Sequence, residues 1–343
     1  MQQKPALDES GVERTRCTQR FRILALDGGG VRGVCTAAYL ARLEEIAGSP
    51  VRRFFDLICG TSAGGIIAIA IALDVPAKEI FSLFRNKTDD IFSRRHPKSM
   101  RLYAALRDSL YRSGPFHGVL RDVLGSETKL GAARCRLCIP AVNIATGRVT
   151  VFKTRHEAYL VRDYLLKAWQ IAAATSAAPI YFSPFRLRGV GEYVDGGIWA
   201  NCPTVVAITE ALRMDFNLDA IDLLSIGTGS SFFQRSVTQT WLHRLTPFGS
   251  NGLLGWNTDL VTLSMQAQTD SGENVMNQLL GESGHLRIQF SLPDRGFDLD
   301  ATDKVGRLSE IAHEEAKASA ESTARRFLNS ETDPFVPVPE NNC

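Results

Sequence analysis

The chain has no apolar run long enough to cross a bilayer. The longest, Ile66 to Leu73, covers 8 residues, against the roughly 20 that a spanning helix needs. Its start, MQQKPALDESGVERTRC, lacks the apolar core of a secretory signal. A soluble cytoplasmic protein is the expectation. Cysteine is sparse, odd in number and scattered, with 7 in 343 residues, which excludes the dense disulfide framework of a small secreted domain. Cys135 and Cys138 form one CxxC, but no second pair completes four zinc ligands. In the strand-like RCRLCIPAVNI, moreover, residues three apart point to opposite faces. We expect no metal. Net charge is nearly absent too, with 39 Lys+Arg against 37 Asp+Glu. The balance hides an asymmetry: Arg85 to Arg155 holds 15 Lys/Arg and 5 Asp/Glu, whereas the remainder holds 24 and 32. Such a segment suits an anionic partner, whether a lipid headgroup surface, a phosphate-bearing ligand or nucleic acid; dispersed charges on a solvated face are the plainer alternative.

What is present is an alternation of strands and helices. With 44% apolar and 22% charged residues, the proportions are globular, and the length suits one large domain or two ordinary ones. FRILAL (Phe21 to Leu26) reads as a buried strand running into Asp27-Gly28-Gly29-Gly30, and Gly33 to Ile46 as a helix ended by Gly48 and Pro50. Phe54 to Cys59 reads as a second strand, broken by GTSAGG, and Ile66 to Leu73 as a helix apolar on every face. Pro76 to Asn86 is predicted helical, and the basic stretch 85–131 reads as a helical cap or insertion. Further strands are expected at Arg134 to Ile144, Arg148 to Lys153, Glu192 to Val194, Ile221 to Ile226 and Leu286 to Phe290. Helices are expected at Val161 to Ala174, Pro203 to Met214, Leu260 to Leu279 and Thr302 to Leu328, with a Gly/Asn/Ser-rich loop over Pro247 to Asn257. The organisation predicted is a flexible segment 1–20, one domain over 21–330 and an unstructured tail 331–343. Glycines at strand ends imply a mostly parallel sheet covered by helices on both faces, with Asp27, Gly60 and Gly227 facing one crevice beyond the strands' carboxyl ends.

Gly60-Thr61-Ser62-Ala63-Gly64 matches G-x-S-x-G between a predicted strand and a predicted helix, the context that gives this motif meaning. The sharp turn presents Ser62 as a nucleophile, and the following helix directs its positive end at developing negative charge. Asp27-Gly28-Gly29-Gly30-Val31-Arg32-Gly33 leaves backbone N–H groups unobstructed, a form that holds an oxyanion or a phosphate. A dinucleotide fingerprint can be laid over it, but the acidic residue due after the next strand is replaced by GTSAG, and no GxxxxGK[ST] occurs anywhere. None of the six histidines (96, 117, 156, 243, 285, 313) sits in a glycine-marked turn after a strand. Asp195 does, in Val194-Asp195-Gly196-Gly197, and burial beside a serine hydroxyl suits it to act as the base; a plain Asp-Gly turn is the alternative.

DGGGVRG, GTSAGG and DGG, in that order, resemble the patatin-like phospholipases, as does the strand ending Ser225-Ile226-Gly227-Thr228-Gly229, over roughly Arg22 to Ser330. The resemblance implies a three-layer α/β hydrolase-type fold and a serine ester hydrolase without cofactor, passing through an acyl-enzyme. By position it implies Ser62 as nucleophile and Asp195 as base, with Gly28, Gly29 and Gly30 supplying the oxyanion hole. Asp27, Gly33, Gly60, Gly64 and Gly196 support these turns, and Arg32 either holds the loop or meets lipid phosphate. Ala63 stands where many relatives have Thr. The chain is also similar to bacterial antiphage effectors of this family that are switched on by cyclic dinucleotides. That likeness implies a membrane phospholipid substrate, action at the inner membrane surface, and an activator site for which Arg94, Arg95, His96 and Lys98, with Tyr103 for stacking, are the candidates. It implies no DNA or RNA partner and is compatible with a homo-oligomer. The competing readings are a small-ester esterase and a non-catalytic phosphate binder.

Overall fold

The computed structural model describes residues 20–95, 108–229, 253–293 and 296–339. Within them the strands β1 (Phe21–Leu26), β2 (Leu57–Gly60), β3 (Arg136–Asn143), β4 (Arg148–Lys153), β5 (Phe185–Leu187), β6 (Gly191–Asp195), β7 (Ile221–Ile226) and β8 (His285–Ile288) form one sheet. Strands β3, β2, β1, β7 and β8 lie side by side and parallel, while β4, β5 and β6 pair antiparallel. Parallel strands need crossover helices over both faces, so their residues are mostly apolar; all six residues of β1 are buried.

Helices α1 (Gly33–Ala47), α2 (Ala63–Ala72), α3 (Ala77–Asn86), α4 (Thr88–Ile91), α5 (Ser113–Leu124), α6 (Ala168–Thr175), α7 (Gly197–Ala200), α8 (Thr204–Arg213), α9 (Leu253–Leu279) and α10 (Val305–Phe327) surround the sheet. The larger core joins one sheet face to α1, α2 and α10; the smaller joins the other face to α8 and to Met276 of α9. Cys135 belongs to the first core and Cys138 to the second, the opposite-face placement expected of a strand. Every residue of α2 is buried, as its uniform apolarity requires.

One register explains the site. Strand β4 occupies one whole edge of β3, from Cys138 to Asn143. On the other edge β2 pairs only with residues 136–138, and β6 takes over, antiparallel, at residues 141–143. Pro140 stands at the changeover, where a residue without an N–H costs no ladder bond. The last residue of β6, Asp195, thereby arrives beyond the end of β2, opposite Ala141.

Several expectations shift. The strand predicted from Phe54 begins at Leu57, because Val51–Phe54 forms a 3-10 turn. The helix predicted from Val161 begins at Ala168: Ala168 N–H bonds Thr128 O and Leu130 N–H bonds Leu166 O, drawing the preceding chain into a bridge. Helix α9 starts at Leu253, inside the stretch expected to be loop. Residues 331–339, expected to be unstructured, lie along the body, with Thr332 N–H on Arg53 O, Val338 N–H on Arg155 O, and the Arg136 guanidinium 5.4 Å from the Phe335 ring centre. The described parts of 85–131 do not stand apart as a cap, since Ile91, Tyr111, Phe116 and Leu120 enter the larger core. Three described cations of 85–155 are met by carboxylates. Arg95 pairs with Asp108, Arg134 with Asp74, and Lys153 with Glu210.

Candidate active site

At the end of β2 the chain reverses into α2 within two residues, and Ser62 occupies the bend with φ 54° and ψ −122°, a region that strains any residue bearing a Cβ. Bare backbone on both sides permits the reversal. A Cβ on Gly60 would lie 2.3 Å from Gly64 O, and one on Gly64 2.3 Å from Leu26 O. The strained residue is held by Thr175, whose Oγ1 accepts the Ser62 N–H at 3.1 Å and donates to Pro140 O at 2.6 Å. Thr61 is drawn the other way, its hydroxyl on Ala200 O at 2.6 Å.

Ser62 Oγ donates to Asp195 Oδ2 at 2.7 Å, across 133 positions of sequence. Gly197 N–H donates to Oδ1, also at 2.7 Å. The Asp195 side chain is fully buried, and burial pushes its carboxyl up to about 7 although both hydrogen bonds pull the other way. A base poised there is matched to proton transfer near neutral pH. The pair opens onto a narrow pocket, continuous with solvent and walled by Ile66, Phe84, Ile91, Phe92, Phe116 and Phe182. Among the described residues no histidine lines it. Such an arrangement, a hydroxyl on a buried carboxylate beside an apolar slot, suits acyl transfer from a long-chain ester.

The glycine loop departs from expectation at one point. Gly28 N–H already donates to Asn201 O at 3.0 Å and is not available to an oxyanion, because the loop is pinned there to the turn after α7. Among the described residues nothing engages the N–H of Gly29 or Gly30, and Gly30, at φ +56°, lines the pocket. Arg32 is buried, with its guanidinium on Gly29 O and Gly229 O. It therefore holds the loop and does not reach a lipid phosphate. Of the activator candidates, Arg95 bonds Asp108 at 2.7 Å and Arg94 lies over Tyr111 at 5.7 Å, whereas His96, Lys98 and Tyr103 fall outside the described residues.

The match of the patatin-like phospholipase family covers residues 24–208, the span from β1 through the Asp195 turn. The chain belongs to this family. Its patatin-like relatives include a "cGAMP-activated phospholipase" of Pseudomonas aeruginosa, 34% identical over 83% of this chain and 83% of that protein. A protein of the same name from Vibrio cholerae is 35% identical over 73% of this chain and 75% of its own. The human "Calcium-independent phospholipase A2-gamma" is 32% identical over 65% of this chain and 30% of that one. Membership makes the chain a lipid ester hydrolase. Among the described residues no helix is long and apolar enough to cross a membrane.

Three supports of this patatin-like site carried no motif. Arg287, on β8, makes a bidentate pair with buried Asp27 at 3.1 and 2.5 Å and an ion pair with Glu273 at 2.8 Å, fixing the start of the glycine loop. Thr175 and Asn201 are the others, and only the run Thr175-Ser176-Ala177-Ala178-Pro179, small residues closing a helix, hinted at a crowded junction. A metal-capable group lies elsewhere: Cys138, His156 and Glu210 bring ligand atoms within 4.8 Å of one another. Glu210 there already holds His156 at 2.8 Å and the Lys153 ammonium at 2.5 Å, which meets its charge and ties α8 to β4.

Proposed function

We propose that this chain cleaves the acyl esters of membrane phospholipids through a Ser62–Asp195 dyad and an acyl-enzyme. The observation that carries the reading is the 2.7 Å bond from Ser62 Oγ to the buried Asp195 carboxylate at the mouth of an apolar pocket. Asp195 takes the Ser62 proton as the hydroxyl attacks the carbonyl; the N–H groups of Gly29 and Gly30, with the amino end of α2, receive the oxyanion. The protonated Asp195 then hands that proton to the departing oxygen, and water releases the fatty acid by the same steps reversed.

Activation by a cyclic dinucleotide is part of the proposal, supported by the names of the bacterial relatives. A switched enzyme of this kind would act on the inner membrane and destroy it in antiphage defence. The test is fatty-acid release from defined liposomes by wild type and Ser62→Ala, with and without a panel of cyclic dinucleotides. Release by wild type alone, dependent on one member of the panel, is expected. Release without any nucleotide overturns the activation, and release by Ser62→Ala overturns the dyad.

The dyad also sets a pH dependence. Only ionised Asp195 accepts a proton, so kcat/KM should climb about tenfold per pH unit below about 7 and level off above it. A profile flat from pH 5 to pH 8 would remove Asp195 as the base.

A further inference from the structure

The segment Thr175-Ser176-Ala177 runs between nucleophile and base. Thr175 receives the Ser62 N–H on its hydroxyl at 3.1 Å and the Gly196 N–H on its carbonyl at 3.2 Å, while Ala177 O accepts the Asp195 N–H at 3.0 Å. Ser176 is thus the residue whose neighbours on either side hold the backbone of the pair. Its own side chain lines the same pocket as Ser62 and Asp195 and is 6% exposed. Its Oγ is buried and, among the described residues, has no hydrogen-bond partner. A buried hydroxyl left unpaired is destabilising, and packing alone would be served by alanine, which fills the next two positions.

We propose that Ser176 is a further catalytic residue, its hydroxyl binding the oxygen that leaves in the first half-reaction and the water that enters in the second. This rests on the dyad reading above. In acylation the Ser62 proton passes to Asp195 and Oγ bonds the carbonyl carbon. The bond from that carbon to the alcohol oxygen breaks, and this oxygen takes the proton from Asp195. In deacylation water gives a proton to Asp195 and its oxygen bonds the acyl carbon; the carbon–Oγ bond breaks, and Ser62 recovers the proton. The leaving and the attacking oxygen travel one path in opposite directions, both beside Asp195. A hydroxyl that donates and accepts serves both, donating to the departing oxygen and accepting from the water as Asp195 takes its other proton.

The test is Ser176→Ala in the full chain, read three ways. Labelling of Ser62 by a fluorophosphonate, whose fluoride leaves without a proton, should proceed within twofold of wild type, showing an intact elbow and base. With a p-nitrophenyl ester, whose phenolate also leaves unprotonated, a burst of about one product per chain should precede a steady rate about 10- to 100-fold below wild type, with KM falling in proportion so that kcat/KM stays within about twofold. Phospholipid turnover should fall at least as far. A steady rate within twofold of wild type overturns the proposal, as does labelling slowed in proportion to turnover, which would place Ser176 behind the elbow only. A wild type that turns over the p-nitrophenyl ester but no phospholipid overturns the lipid reading alone, and the burst still decides Ser176.

Discussion

Ser62→Ala is expected to lower ester hydrolysis by roughly 10⁴-fold and Asp195→Asn by a comparable factor, with the double variant no worse than either single one, because the members of the proposed dyad would act as a unit. Their effects on stability should part company. The native carboxyl of Asp195 holds its proton up to about pH 7, against an ordinary value of 3.8. The folded state therefore binds this proton more tightly than the unfolded one does. The stability it contributes is fully present below about pH 4 and lost as pH rises through 7, a change on the order of 4 kcal/mol. Asparagine keeps the neutral shape and never ionises. Asp195→Asn should thus melt above wild type at pH 8, with the gap closing towards pH 4. Thermal melts of both proteins across that range check it, and a gap that stays constant would mean the carboxylate carries no desolvation cost. The inactive enzyme being the more stable one at alkaline pH is the signature of a buried base.

Arg287→Met should destabilise the fold by about 3–5 kcal/mol, the usual effect of leaving one member of a buried ion pair uncompensated. Asp27, 2% exposed, sits at the C-terminal end of β1, and Arg287 is its bidentate partner. Without that cation the buried carboxylate loses its bidentate partner, and the loop carrying Gly29 and Gly30 loses its anchor. Activity should fall with stability. Adding Asp27→Asn to Arg287→Met removes the orphaned charge and should recover part of the loss. Urea unfolding of wild type and the two variants measures this; a single-variant effect below about 1 kcal/mol would show the pair to be dispensable.

The pairing of Arg287 with Asp27 illustrates what a sequence conceals. Asp27 stood out through the glycines beside it, but its partner lies 260 positions away on a strand with no distinguishing pattern. Gly28 gives the opposite lesson. Three consecutive glycines read as three free amides, yet the first is consumed by Asn201 O, because the turn after α7 packs on the loop. The charge-rich stretch 85–155 left open a basic surface or dispersed charges, and the fold supplies Asp108, Asp74 and Glu210 as partners of Arg95, Arg134 and Lys153.

The parts that local sequence determined are those enforced by near neighbours in the chain. The elbow at Ser62 follows from glycines at 60 and 64 that let backbone fold on backbone, and α2 from ten residues with no polar face. The α/β class follows from alternation of apolar strands and helices ended at glycines. Tertiary structure decided what reaches the serine. Asp195 arrives only because β2 stops short on the edge of β3 and β6 enters beyond Pro140, and Ser176 faces the pocket only because its neighbours bond both chains there. Burial and hydrogen-bond partnership depend on which strands share an edge, and that pairing joins residues too distant in the chain for any local pattern to encode.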